Sequence, residues 1–335
     1  MSLAALLTTL NAPLELADVT PHEPGFGQVR VRVICSGLCG AQLQEIRGEK
    51  GGPLPHLMGH EGCGTVWDIG PGVTRVKPGD KVVLHWRQAA GIESDFPRYD
   101  YAGRTITSGK CVSLAELVTV SENRCTPVPD DTPPELAALL GCGLATALGT
   151  IENESNLRWG QSVLIIGVGG LGANLITAAK LAHVGEVDAC DCHMHKAPLA
   201  KALGADGFIF ELESLRKLYD CVIDTTGNPK ALAAGIERLA PSGRCVMVGQ
   251  PPPGSTVEMV AARHMFDGSG KTIVATQGGA HTPHMDIPRY IRMHKTGSLK
   301  TDGIITHRVP LSRVNEAVDL MKAGEAGRVM VECSK

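Results

Sequence analysis

Two rhythms of apolar and polar positions divide the chain. From Pro24 to about Arg124 the apolar residues come in short β-rich runs, at 28–34, 64–69, 81–84 and 114–120, separated by Gly and Pro turn signals. That pattern predicts an irregular, mostly β domain. From Ser162 onward, apolar runs alternate with Ala- and Leu-rich stretches of helical length, the pattern of βαβ units on a parallel sheet. Six runs are candidate strands of that sheet, at 163–167, 187–191, 207–210, 221–224, 243–249 and 272–276. Six strands make a full doubly wound α/β fold. Beyond Gly278-Gly279 the pattern predicts a helix around 287–295, an apolar run at 304–309, a helix over 311–323 and a closing strand at 328–332.

A chain of 335 residues is longer than one core usually supports, so two domains with a cleft between them are expected. The 43% hydrophobic and 20% charged content and the net charge of -3 describe a globular protein without the basic excess that nucleic acid or an anionic membrane calls for. A small-molecule partner is expected. The apolar runs fall well short of the roughly 20 residues of a membrane span. The start, Met-Ser-Leu-Ala-Ala-Leu-Leu, lacks a basic leader and a clear cleavage site, which points to a cytoplasmic protein. Its 11 scattered cysteines are expected to be reduced, most of them as small buried hydrophobes and a few as metal ligands.

Gly167-Val168-Gly169-Gly170-Leu171-Gly172 follows the β-run and opens the helical run 173–181. Its glycines permit a tight turn and close approach of a pyrophosphate to a helix N-terminus. Asp191 ends the next β-run about 20 residues on, where a carboxylate binds the adenosine ribose and repels the 2′-phosphate of NADP. NAD is therefore the expected cofactor, with Lys196 a candidate cap for the ribose. Thr225 and Gly249, at the ends of the fourth and fifth candidate strands, complete the expected cofactor site.

Gly59-His60-Glu61-Gly62, Gly37-Leu38-Cys39-Gly40 and Gly141-Cys142-Gly143 offer one His and two Cys. Three such ligands leave the fourth position of a tetrahedral zinc open for substrate. With Pro78-Gly79-Asp80-Lys81-Val82, the segment from Gly141 to Thr146 and the glycine-rich loop in this order, the chain resembles the zinc-containing medium-chain dehydrogenase/reductase family over essentially its whole length. The resemblance implies a β-rich GroES-like catalytic domain (residues 1–147 and 278–335) and a doubly wound Rossmann NAD-binding domain (residues 148–277). It implies Cys39, His60 and Cys142 as ligands of a catalytic zinc, with Glu61 beside the metal as a transient ligand. It places Arg328 at the cofactor pyrophosphate and Trp86 in the substrate pocket, where Arg87 joins it. By resemblance also, the last parallel strand pairs across a two-fold axis, giving a homodimer or homotetramer.

Two departures stand out. Between Leu84 and Val120 the chain has only Cys111, so a structural zinc is not expected. Where relatives carry a hydroxyl residue, an Asp and a distal His, this chain has Ala41, Gln42 and Gln44, and the usual proton relay is missing. Three readings stay open: reversible alcohol oxidation with another proton route, a carbonyl reductase, or a non-enzymatic NAD-binding relative. A zinc-free enoyl or quinone reductase of the same superfamily is a further alternative. His85, Trp86, Arg87, Arg98 and the region 281–289 suggest a polar substrate: a sugar, a cyclitol, or a phosphate- or phosphonate-bearing alcohol.

Overall fold

The computed structural model describes residues 1–259 and 262–334; Val260 and Ala261, inside the expected Rossmann span, and Lys335, at the end of the catalytic one, lie outside the described residues. The chain divides into two compact units, one of residues 1–143, 282–293 and the segment from Ile305 onward, the other of residues 144–281 and 294–304. The expected boundary at 147 thus falls at 143. Residues 294–304 go with the second unit, where Leu299 and Ile304 are buried and Gly303 lies against Leu203.

In the first unit a largely antiparallel sheet runs in the order Cys125–Pro127, Lys81–His85, Glu61–Ile69, Gln28–Leu38, Arg328–Glu332, Ile305–Pro310. Leu117–Ser121 also pairs with Gln28–Leu38. The long strand forms because β-branched Val29, Val31 and Val33 recur every second residue and are fully buried, as a pleated strand with a core-facing side requires. A second sheet orders His56–Leu57, Ser2–Leu7, Glu15–Pro21, Arg98–Tyr101 and Arg104–Thr107. Its two N-terminal strands and its hairpin were not expected. Ala4, Ala5, Leu6 and Leu7 are at most 1% exposed, so this strand is buried on both faces and shows no alternation to read.

In the second unit all six expected strands form one parallel sheet, in the order Gly207–Ile209, Glu186–Cys190, Ser162–Ile166, Tyr219–Asp224, Leu239–Met247, Thr272–Ala275. Counted along the chain this is 3-2-1-4-5-6, the doubly wound order. The architecture is the GroES-like plus Rossmann-like pair that the resemblance implies. The order reverses at Ser162–Ile166, so the carboxyl end of that strand is the ligand position of the fold. Thr272–Ala275 is a sheet edge. No single helix among the described residues is long and apolar enough to cross a membrane.

Candidate metal centre and cofactor loop

Sheet register assembles the first site. Leu38 pairs with Val329 and Ser36 with Gly62, which carries Cys39, Glu61 and Arg328 to the same end of three adjacent strands. Cys142 arrives from another direction, one residue after the helix Pro134–Leu140 and its cap Gly141. Gly141 is required there: a Cβ would stand 2.2 Å from the Leu84 carbonyl oxygen and 2.9 Å from Glu61 Cβ. His60 precedes the strand Glu61–Ile69. Ligand atoms of Cys39, His60, Glu61 and Cys142 all lie within 4.8 Å of one another.

Two sulfurs, an imidazole nitrogen and a carboxylate form a donor set that suits zinc. Glu61 is 0% and Cys142 9% exposed, whereas Cys39 and His60 stay partly exposed. The cluster therefore has a closed side and an accessible one. The Cys39 thiol is held well below its ordinary pKa, chiefly by the hydrogen bond from Cys142, with His60 and the Arg328 charge assisting. Cys142 is pushed well above its own value by that same bond and by burial. Burial pulls His60 down, but hydrogen bonding to Cys39 and the Cys39 charge outweigh it and leave His60 raised. Burial raises Glu61 against the pull of Arg328.

Arg328, expected at the pyrophosphate, is 2% exposed and donates through Nη2 to Glu61 Oε1. One guanidinium nitrogen is thus engaged beside the thiols, a pairing with Glu61 that the sequence reading did not include. Its Nε is buried without a partner.

In the second unit the glycine-rich loop joins the strand Ser162–Ile166 to the helix Gly170–Leu181, with Gly169 at the cap. Leu171 lies in the first turn. A Cβ on Gly172 would stand 1.8 Å from the Gly167 carbonyl oxygen, while one on Gly169 meets nothing within 4 Å. The turn is closed on its inner side and open where a phosphate would sit. Asp191 Oδ2 accepts the Val168 N–H at 2.7 Å, tying the strand-end carboxylate to this loop. Lys196 is 3% exposed, and burial lowers its ammonium pKa against the opposing charge of Asp191. The Thr225 hydroxyl donates to Ile166 O at 2.9 Å and lies 3.2 Å from Gly167 O, bracing the loop, while Gly249 N–H donates to Asp224 O at 2.9 Å at the end of the neighbouring strand.

Residues 25–130 match the Alcohol dehydrogenase GroES-like domain, and residues 170–295 match the Zinc-binding dehydrogenase domain. The chain belongs to the zinc-type medium-chain dehydrogenase/reductase family. Members are oxidoreductases acting on small alcohols. Alcohol dehydrogenase 6 of Peromyscus maniculatus is 28% identical over 98% of this chain and 96% of its own length. S-(hydroxymethyl)glutathione dehydrogenase of Paracoccus denitrificans is 26% identical over 98% of both. The crystal structure of an alcohol dehydrogenase zinc-binding domain protein from Burkholderia ambifaria superposes with a TM-score of 0.90 at 26% identity, covering 100% of this chain and 99% of that one.

Against this family background, Gln42 emerges as a residue the sequence reading left without a role. Its Oε1 accepts the Cys39 backbone N–H at 2.7 Å and its Nε2 lies 2.5 Å from His60 Nδ1. The signal was present, since a Gln three residues past a helix cap reaches back to the cap's N–H. Trp86 and Arg87 are adjacent and half-buried, with the Arg87 guanidinium 5.6 Å from the Trp86 ring. His85 is turned inward, its ring nitrogens paired with Arg87 O at 2.8 Å and Thr126 Oγ1 at 2.9 Å. Arg289 pairs with Asp286 at 2.9 Å. His85, 0% exposed, is removed by its pairing from the candidates that suggested a polar substrate.

Proposed function

We propose that the protein is a zinc-dependent alcohol dehydrogenase that exchanges a hydride between NAD(H) and a primary or secondary alcohol or its carbonyl. The four-donor cluster of Cys39, His60, Glu61 and Cys142 carries this reading. Bound zinc would supply Lewis acidity toward the substrate oxygen, and NAD(H) the hydride acceptor or donor. Cys39, His60 and Cys142 hold the metal, Glu61 is its transient ligand, and Arg328 neutralises Glu61. The buried, unpartnered Nε of Arg328 is the donor left for a cofactor phosphate. Asp191 and Lys196 take the adenosine ribose, which favours NAD over NADP. Trp86 and Arg87 line the substrate pocket and favour a polar or anionic substrate.

One catalytic zinc and no structural zinc per chain are expected, because Cys111, the only cysteine between Leu84 and Val120, donates to His60 O at 3.6 Å. A homodimer or homotetramer paired through the edge Thr272–Ala275 is part of the same reading. Ala41, lacking a hydroxyl beside the metal cluster, favours a second reading in which the enzyme works mainly as a carbonyl reductase.

The test combines metal analysis with absorbance at the NADH band over a panel of polar and aliphatic alcohols and carbonyls. Wild type should hold one zinc and turn over, and Cys39→Ala should lose both. Full zinc and full turnover in Cys39→Ala would sink the proposal. Turnover confined to simple aliphatic alcohols would sink its substrate class.

A further inference from the structure

A second group of metal-ligating side chains stands outside the catalytic cluster, at the carboxyl end of the strand Glu186–Cys190, where the chain reads Asp191-Cys192-His193-Met194-His195. One ligand atom each of Asp191, Cys192 and His193 lies within 4.8 Å of the others. Cys192 Sγ is 3.3 Å from His193 Nδ1, which is 2.9 Å from Asp191 Oδ1. Donors about 2.0–2.3 Å from a tetrahedral zinc stand roughly 3.3–3.8 Å from one another, so the observed spacing needs little adjustment. The turn is fixed by its own backbone, since Asp191 Oδ1 also accepts the His193 N–H at 2.9 Å. The His195 ring lies 5.4 Å from the His193 ring, centroid to centroid, outside the group of three.

This differs from an acidic surface patch in kind. Sulfur, nitrogen and oxygen donors lie within 4.8 Å of one another, and thiolate with imidazole selects zinc over the hard cations that carboxylates alone attract. Cys192 is exposed and His193 about half exposed, so a cation can enter from solvent.

We infer that Asp191, Cys192 and His193 form a second and weaker site for a thiophilic divalent cation such as Zn²⁺, with solvent completing its coordination. Occupation engages Asp191, whose other oxygen is tied to the glycine-rich loop. A cation there therefore competes with the dinucleotide, a consequence that rests on the ribose role proposed above for Asp191. Excess zinc then acts as an inhibitor through the cofactor site while the catalytic zinc stays in place.

The experiment uses the full chain, kept reduced and loaded with its first zinc. Equilibrium dialysis against Zn²⁺ with metal analysis should give a second equivalent in wild type. Cys192→Ser and His193→Ala should each weaken it at least tenfold and leave the first equivalent unchanged. NADH fluorescence titration should show zinc weakening NADH binding in wild type and having no effect in Cys192→Ser. A single equivalent in wild type, or a second one that persists in both variants, overturns the site. A second equivalent lost in the variants but without effect on NADH affinity overturns the competition alone. Failure of the metal-loaded protein to bind NADH at all, with no added zinc, would instead count against the dehydrogenase reading.

Discussion

Gln42 Nε2 lies 2.5 Å from His60 Nδ1 while Gln42 Oε1 accepts the Cys39 N–H at 2.7 Å, so one fully buried amide orients two of the three expected zinc ligands. With Nδ1 occupied by Gln42, Nε2 is the nitrogen available to a metal. A metal on Nε2 leaves the imidazole proton on Nδ1, and Nδ1–H and Cys39 N–H then need the same single carbonyl oxygen. A carboxylate has two oxygens and serves both. Gln42→Glu is therefore expected to hold zinc more tightly, and Gln42→Ala to lose affinity by about 10- to 100-fold. The readout is the chelator concentration that strips half the metal. Identical retention in all three proteins would reduce Gln42 to a space-filling residue.

The buried pair of Glu61 and Arg328 gives a second prediction. Glu61 is 0% and Arg328 2% exposed, so neither charge has water to fall back on. Arg328→Met leaves a buried carboxylate beside two thiols and should cost about 3–5 kcal/mol in urea unfolding of the metal-stripped protein. Adding Glu61→Gln removes the stranded charge, and the double variant should recover at least half of that loss. A double variant as unstable as Arg328→Met would mean that the loss comes from packing of the arginine stem.

What the sequence made legible follows how locally each feature is encoded. The six strands of the parallel sheet and the strand Arg328–Glu332 were readable because apolar runs, turns and helices alternate within short windows. Gly167 to Gly172 and Asp191 were readable for the same reason. The N-terminal strand was not, because Ala4 to Leu7 are buried on both sides and show neither period. The engagement of Arg328 with Glu61 was not legible either. It depends on the register that sets Val329 against Leu38, and residues 267 positions apart leave no local trace. His85 misled in the opposite direction: a polar residue after a β-run reads as a pocket group, yet its partner Thr126 sits on the neighbouring strand Cys125–Pro127.

The carboxylate of Asp191 separates charge from hydrogen bonding in the proposed cofactor preference. Asp191→Asn keeps an acceptor for the Val168 N–H, now 2.7 Å from Oδ2, but drops the negative charge proposed to face the ribose. Losing one charge-assisted hydrogen bond should weaken NADH binding about tenfold. NADPH should lose less, because repulsion of its 2′-phosphate falls at the same time. Fluorescence titration with both nucleotides reads the ratio. An unchanged NADH to NADPH ratio would remove Asp191 from the selection of cofactor.

The lobe between Leu84 and Val120, where no structural zinc is expected, is held in part by the Glu93 carboxylate, and this makes it sensitive to acid. Glu122 Oε1 and Oε2 accept backbone N–H groups of Thr74 at 2.6 Å, Arg75 at 2.8 Å and Ile92 at 2.7 Å. Glu93 bridges Lys110 at 3.0 Å and Arg124 at 3.1 Å, with Asn123 Nδ2 and Gln88 Nε2 donating at 2.7 Å. Burial pushes the Glu93 carboxyl up, but Asn123, Lys110, Gln88 and the Arg124 charge together bring it down to about 2. A carboxylate depressed below its unfolded value of about 4.3 stabilises the fold fully above that value. The contribution fades as pH falls from about 4.3 through about 2, when the native carboxylate takes up its proton. Glu93→Gln should therefore lower the melting temperature near neutral pH, by an amount equivalent to about 1 kcal/mol once partial exposure is allowed for. The gap between variant and wild type should close as the buffer is taken below about pH 4. A gap that stays constant across that range would mean that Glu93 acts through packing, and that the charge network does not secure the lobe.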